Sequence, residues 1–241
     1  MAKKEYFLIL DTETTQDEMV ADFGAIICDR KGRIYAQCAV LVNGIYTDQE
    51  KHPLFYTSNA DDEVFGRHTT DRRYATYNKM VTDGTRMLAS VAAINLWLAK
   101  AIGKYDPILT AYNLAFDLGK CRNTGIDLTG FSRSFCLWHS AFTHIAGTRK
   151  YRNFAMSVHA FNAPTKHQNM SYKTNAETMT RFVLGQPDLV DEPHTALEDA
   201  IYYEMPILQF LCSRMPVKKV INDLTPFNWR SVQVRDHFTA A

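Results

Sequence analysis

Five polar residues spread along this chain have the types and spacing for chemistry: Asp11 and Glu13, then Asp117, then His194 and Asp199. Strand and helix signals put each of them at the edge of one cleft. Four carboxylates and one imidazole converging there would hold two divalent cations with a general base beside them, an arrangement suited to cutting a phosphodiester. Such cations prefer hard oxygen ligands, so magnesium or manganese is expected and cysteine ligands are not.

The elements that must position these residues can be read locally. Tyr6-Phe7-Leu8-Ile9-Leu10 is a continuous apolar run of the kind that forms a strand buried on both faces. Asp11 and Glu13 follow at its carboxyl end, and the period of two along a strand projects both to one side while Thr12 points away. Two neighbouring carboxylates repel and raise each other's pKa, which a cation between them would relieve. The plainer alternative is a solvated strand end running into the polar turn Thr14-Thr15-Gln16-Asp17. Ile108-Leu109-Thr110-Ala111-Tyr112 reads as another strand. Asn113 then caps a helix that carries Asp117 about one turn in, pointing back toward the strand ends. Asp117 could instead be an ordinary first-turn acid that favours the helix dipole.

In Glu192-Pro193-His194-Thr195-Ala196-Leu197-Glu198-Asp199-Ala200, Thr195 and Glu198 have capping-box spacing, so a helix begins at about Thr195. Residues five apart on one helix point roughly 140° away from each other. His194 and Asp199 can therefore face one site only if His194 stays in the preceding loop. A loop histidine with an unperturbed pKa of about 6.5 suits a general base.

These three segments resemble the three motifs of the DnaQ-like 3′→5′ exonucleases, in the subclass whose third motif is His-x-x-x-x-Asp. Leu-Asp-Thr-Glu-Thr at 10–14, Asn-x-x-Phe-Asp at 113–117 and His-x-Ala-x-x-Asp at 194–199 occur in the family's order. Asp22-Phe23-Gly24-Ala25-Ile26-Ile27 also resembles its second strand. The resemblance covers residues 5–213, departing at Tyr112, where many members have histidine, and in a long interval between the second and third motifs. It implies a ribonuclease-H-like α/β fold: a mixed five-stranded sheet, a three-stranded meander followed by β-α alternation, flanked by helices. It further implies Asp11, Glu13, Asp117 and Asp199 as ligands of two magnesium or manganese ions, with His194 taking a proton from the attacking water. The implied reaction releases nucleoside 5′-monophosphates from the 3′ end of single-stranded or frayed nucleic acid. Nothing in the motifs reads a 2′-hydroxyl, so RNA stays open beside a slightly favoured DNA. A non-catalytic nucleic-acid binder is the more distant alternative, although a scaffold has no use for four converging acids.

For substrate contacts the sequence offers Thr12, Asn113 and Phe116 beside the acids. It also offers Arg149-Lys150-Tyr151-Arg152-Asn153-Phe154, where cations alternate with aromatics as in a segment that tracks a backbone and stacks bases. Phe116 could instead be a core residue, and 149–154 a solvated loop. Arg67, Arg72 and Arg73 form a second basic cluster. A net charge of +1 argues against broad duplex binding through many phosphates, whereas gripping a few nucleotides at one end needs few cations. Five cysteines without a Cys-x-x-Cys pair indicate neither a disulfide framework nor a zinc ribbon. No apolar run approaches a membrane span, and a cytoplasmic location is expected.

With 241 residues, 46% of them hydrophobic, the chain suits one core and one domain at 1–213, followed by an extension at 214–241. A hairpin at about 20–29 and 34–42 turns through Asp29-Arg30-Lys31-Gly32-Arg33, and 43–84 reads as an irregular, charged connection. Met87, Val91, Ile94, Leu98 and Ile102 recur with helical spacing over 85–103. Ser134-Phe135-Cys136-Leu137-Trp138 is a fifth strand, and 139–170 shows no clear period, with His139 and His144 read as structural or surface groups. A helix near 175–184 ends at Gly185. Pro206 should kink or divide the last long helix. The extension, with Pro216 and Pro226, lies on the domain or contacts a partner.

Overall fold

Strand β1, Tyr6–Thr14, carries Phe7 and Ile9 on one face and Leu8 and Leu10 on the other, all fully buried. A strand apolar on both faces belongs inside a sheet. A computed structural model describes residues 4–55, 70–163 and 170–234 of the chain. β1 pairs antiparallel with β2 (Val20–Asp29), and β2 with β3 (Ile34–Val42). The connection after β3, expected to be irregular, holds helix α1 (Thr70–Thr82), while its residues 56–69 lie outside the described residues. Tyr74, Tyr77 and Met80 give α1 one apolar residue per turn, too sparse a pattern to stand out; Tyr77 is buried with Leu41, Tyr46 and Leu54.

Strand β4 (Met87–Ala89) adds in parallel to β3, and β5 (Ile108–Ala111) and β6 (Ser134–Cys136) extend the sheet in parallel beyond β1. The chain is thus an α/β protein with a six-stranded mixed sheet in the order β4-β3-β2-β1-β5-β6, flanked by helices. The strand beyond the expected five is β4, which lies inside the stretch 85–103 that reads as one helix. Ser90 divides that stretch: its side chain accepts a hydrogen bond from the Ala93 N–H and starts α2 (Val91–Tyr105), leaving Met87 exposed in an edge strand. Three residues are too few for periodicity to tell strand from helix.

On one face of the sheet, Leu8, Leu10 and Phe23 pack against Ile94 and Leu98 of α2 and Leu114 of α3 (Leu114–Thr124). On the other face lie α4 (Leu137–Ala141), a π turn at Phe142–Ala146, α5 (Arg149–Ser157) and α6 (Ala176–Leu184). The π turn interrupts the 3.6-residue repeat at 142–146, within the stretch 139–170 that has no clear period in the sequence, of which 164–169 lie outside the described residues. Asn175 caps α6 by accepting from the Thr178 N–H, and Gly185 ends it in the left-handed region at φ 65°. α7 (Ala196–Asp199) passes through a second π turn, Ala200–Glu204, into α8 (Met205–Arg214); the backbone stays helical throughout, so Pro206, near the start of α8, follows a change of helix type and not a break. The described part of the extension, 214–234, lies on the domain: Val217 and Val220 of α9 (Val217–Asn222) and Val232 are buried in this same core. Among the described residues no helix is long and apolar enough to cross a membrane.

Candidate active site

The carboxyl ends of the parallel neighbours β1 and β5 open one crevice, and the pleat of β1 decides what each side chain meets there. Asp11 and Glu13 share the Phe7 and Ile9 face, over which α7 lies, whereas Thr12 faces α3. The Thr12 hydroxyl donates to Asp117 Oδ1 at 2.8 Å, drawing the buried Asp117 over the strand end. Thr12 is thereby committed to orienting an acid. Asn113 stands at the start of α3 but makes no side-chain cap hydrogen bond, in contrast to the capping role expected of it; it is exposed at the cleft rim.

The third motif is seated by β2. Gly24 pairs opposite Asp11 and Asp22 opposite Glu13, on the same face. A Cβ on Gly24 would sit 2.2 Å from the Ala196 carbonyl carbon and the Leu197 nitrogen, so only glycine lets α7 rest on the sheet. Asp22 Oδ2 accepts the Ala196 N–H at 3.0 Å, and the fully buried Arg86 binds both Asp22, at 3.1 Å, and Glu198. The capping box read at Thr195 therefore does not close: Thr195 makes no side-chain cap bond, and Glu198 turns to Arg86. The helix start is as expected, but Asp22 holds it. Gly24→Ala is expected to cost about 1–3 kcal/mol of stability by overpacking. An unchanged urea midpoint would mean that α7 can lift from the sheet freely.

His194 stays in the loop before α7, with φ 54° in the left-handed region, a conformation that costs a non-glycine residue on the order of 1 kcal/mol. Its carbonyl accepts from the Tyr77 hydroxyl at 3.4 Å, and its Nδ1 lies 3.9 Å from Glu13 Oε1. Burial lowers its pKa, leaving a neutral imidazole at pH 7. The other oxygen of Glu13 accepts from Arg73 Nη2 at 2.6 Å.

Asp11 Oδ2, Asp199 Oδ1 and Glu204 Oε2 are buried without a hydrogen-bond partner. Burial, reinforced by the charges of Glu204, Asp117, Asp199 and Glu13, holds the Asp11 carboxyl well above its ordinary range. Burial likewise pushes Asp117 up to about 7, and raises Asp199, with Glu192 adding to it. Ligand atoms of Glu13, His194 and Asp199 all lie within 4.8 Å of one another. Hard oxygen donors, partnerless and mutually repelling, suit divalent cations.

These groups line a cleft of about 480 Å³, together with Phe116 and three acids that the motifs did not single out, Glu18, Glu192 and Glu204. Burial pushes the Glu192 carboxyl up to about 8. Glu204 is five residues beyond Asp199, a spacing that an α-helix turns roughly 140° away. The π turn, with its i→i+5 bonding, is wide enough to bring both to one cleft. Pro206 was the only local hint of it.

Phe116 is 44% exposed beside the cleft, with the Lys120 ammonium 4.6 Å from its ring, which removes its core alternative. The run 149–154 is neither loop nor cleft wall. Tyr151 of α5 is buried and Phe154 packs on Phe182, so the rings that were to stack bases face the core, while Arg149, Lys150 and Arg152 do not line the cleft. Of the other basic cluster, Arg73 reaches the site; Arg67 and the side chain of Arg72 lie outside the described residues. An adjoining groove of about 470 Å³ shares Tyr112, Asn113 and Asn175 with the cleft and adds Trp138, Asn162 and Phe227. Trp138 and Phe227 stack at 4.8 Å. Comparison of the chain with family models, with curated proteins and with solved structures finds no match.

Proposed function

We propose that this protein is a divalent-cation-dependent 3′→5′ exonuclease of the DnaQ-like kind, on a ribonuclease-H-like fold. The observation that carries this reading is that Asp11, Glu13, Asp117, Asp199 and His194, from three distant segments, line one cleft. The antiparallel β1–β3 meander with parallel β5 and β6 beside it supports the fold assignment. Asp11, Glu13, Asp117 and Asp199 would hold two magnesium or manganese ions, which when bound acidify an attacking water and spread the charge of the phosphate. His194, neutral at pH 7, accepts the water's proton, and Glu13 beside its Nδ1 stabilises the imidazolium that results. Arg73 fixes Glu13 for that role.

Phe116 offers an exposed ring to the terminal base. The strand behind it runs into the adjoining groove, where Phe227, 36% exposed and backed by Trp138, supplies a stacking face and Asn113, Asn162 and Asn175 supply amides. Base–aromatic stacking contributes about 1–3 kcal/mol per base. Phe227→Ala should thus raise KM roughly 5-fold to 150-fold with little change in kcat. The Arg149, Lys150 and Arg152 triple alanine variant should keep the wild-type KM. A rise in KM confined to the triple variant would move the strand to α5.

The reading is tested by incubating the protein with end-labelled single-stranded DNA, single-stranded RNA and duplexes, with and without magnesium. Shortening from the 3′ end with release of 5′-monophosphates, abolished by EDTA, is expected, most readily on unpaired ends. The faster substrate of the DNA and RNA pair reports the sugar preference. If none of these substrates is shortened, the exonuclease reading is wrong.

A further inference from the structure

We propose that Glu204 is an additional carboxylate ligand of the cation site, extending the four-acid set to five. This rests on the reading above that the cleft holds divalent cations. Glu204 Oε1 accepts the Tyr112 backbone N–H at 3.0 Å, which pins the carboxylate to the end of β5. Its Oε2 is buried without a partner in a residue only 2% exposed that lines the cleft. A buried carboxylate oxygen is unfavourable when left unpaired, unless the group is protonated or a cation meets it. Among the described residues the basic side chains lining the cleft pair with other acids: Arg73 with Glu13, and Lys120 with Glu18 at 3.1 Å.

Two other carboxylate oxygens share this condition, Asp11 Oδ2 on β1 and Asp199 Oδ1 on α7. Three partnerless oxygens from three elements belong to residues lining one cleft, and cations bound there could satisfy them. The π turn at Ala200–Glu204 has the same logic. A regular helix would carry Glu204 away from Asp199, so the irregular turn keeps it in the cleft. An added ligand charge strengthens the hold on a hard divalent cation.

The test is calorimetric titration of manganese into wild type, Glu204→Gln and Asp11→Asn, paired with thermal melts in EDTA and in manganese. Glutamine keeps the shape of Glu204 and an oxygen for the Tyr112 N–H while removing the charge. Even a group merely hydrogen-bonded to a metal ligand is worth roughly 10–100-fold in affinity, so Glu204→Gln should weaken manganese binding at least tenfold. It should also shrink the manganese-induced rise in Tm, with the EDTA melt unchanged or higher. Glu204→Asp, which keeps the charge but withdraws it by one methylene, should bind more weakly too and serves if the glutamine variant does not fold. Wild-type affinity in both Glu204 variants, with Asp11→Asn impaired, would overturn the proposal alone and make Glu204 a protonated structural group. Absence of manganese binding by the wild type would overturn both the proposal and the reading beneath it.

Discussion

Asp117→Asn is expected to lose at least about a thousandfold in cleavage rate, because a cation ligand supports several kcal/mol of charge stabilisation and each 1.36 kcal/mol is a factor of about ten. Asparagine preserves an oxygen for the Thr12 hydroxyl, so the geometry of α3 over β1 should survive. Stability in EDTA should not fall, and its pH dependence should change. Burial holds the folded Asp117 carboxyl up to about 7, above its unfolded value, so the folded chain binds the extra proton between the two. Without cations the wild type should therefore weaken as pH rises through that window, and Asp117→Asn should weaken less. Urea midpoints in EDTA at acidic and alkaline pH measure this. A folded Asp117→Asn protein with near-wild-type turnover would remove the metal reading.

His194→Ala should lose about a hundredfold to ten-thousandfold in rate, the usual weight of general base catalysis, while cation binding stays near wild type. Burial already lowers the imidazole pKa, and bound cations would lower it further by repelling the charged form. The wild-type rate should thus rise with pH below the ordinary histidine range and then level. The variant should lack that limb and regain rate only at alkaline pH, where hydroxide is more abundant. One specific alternative is a ligand role, since a His194 nitrogen lies within 4.8 Å of ligand atoms of Glu13 and Asp199. Manganese titration of His194→Ala as impaired as that of Asp117→Asn would establish that role instead.

Much of the frame was legible because it depends on neighbours in the chain. The run 6–10 read as an inner strand, with Asp11 and Glu13 at its end, and Gly185 ends α6 through its own backbone freedom. Pro206 lacks the N–H that a regular helix needs, and the helix beside it widens into a π turn without breaking. Periodicity, however, needs several turns to register. The three residues of β4 and the sparse apolar side of α1 fell below that threshold.

Beyond the five residues of the cleft, partnership across the fold was not legible. Capping-box spacing correctly marked the start of α7, yet the bonds that hold it come from Asp22 and Arg86, far away in the chain. Arg149, Lys150 and Arg152 read as a nucleic-acid grip from composition, but they do not line the cleft, and Tyr151 between them is buried. Glu204 had no motif because its value depends on a π turn, an unpaired oxygen and three acids brought together by other elements. Residue order sets backbone preference over a few positions, whereas the field and the packing at one point sum over everything folded around it.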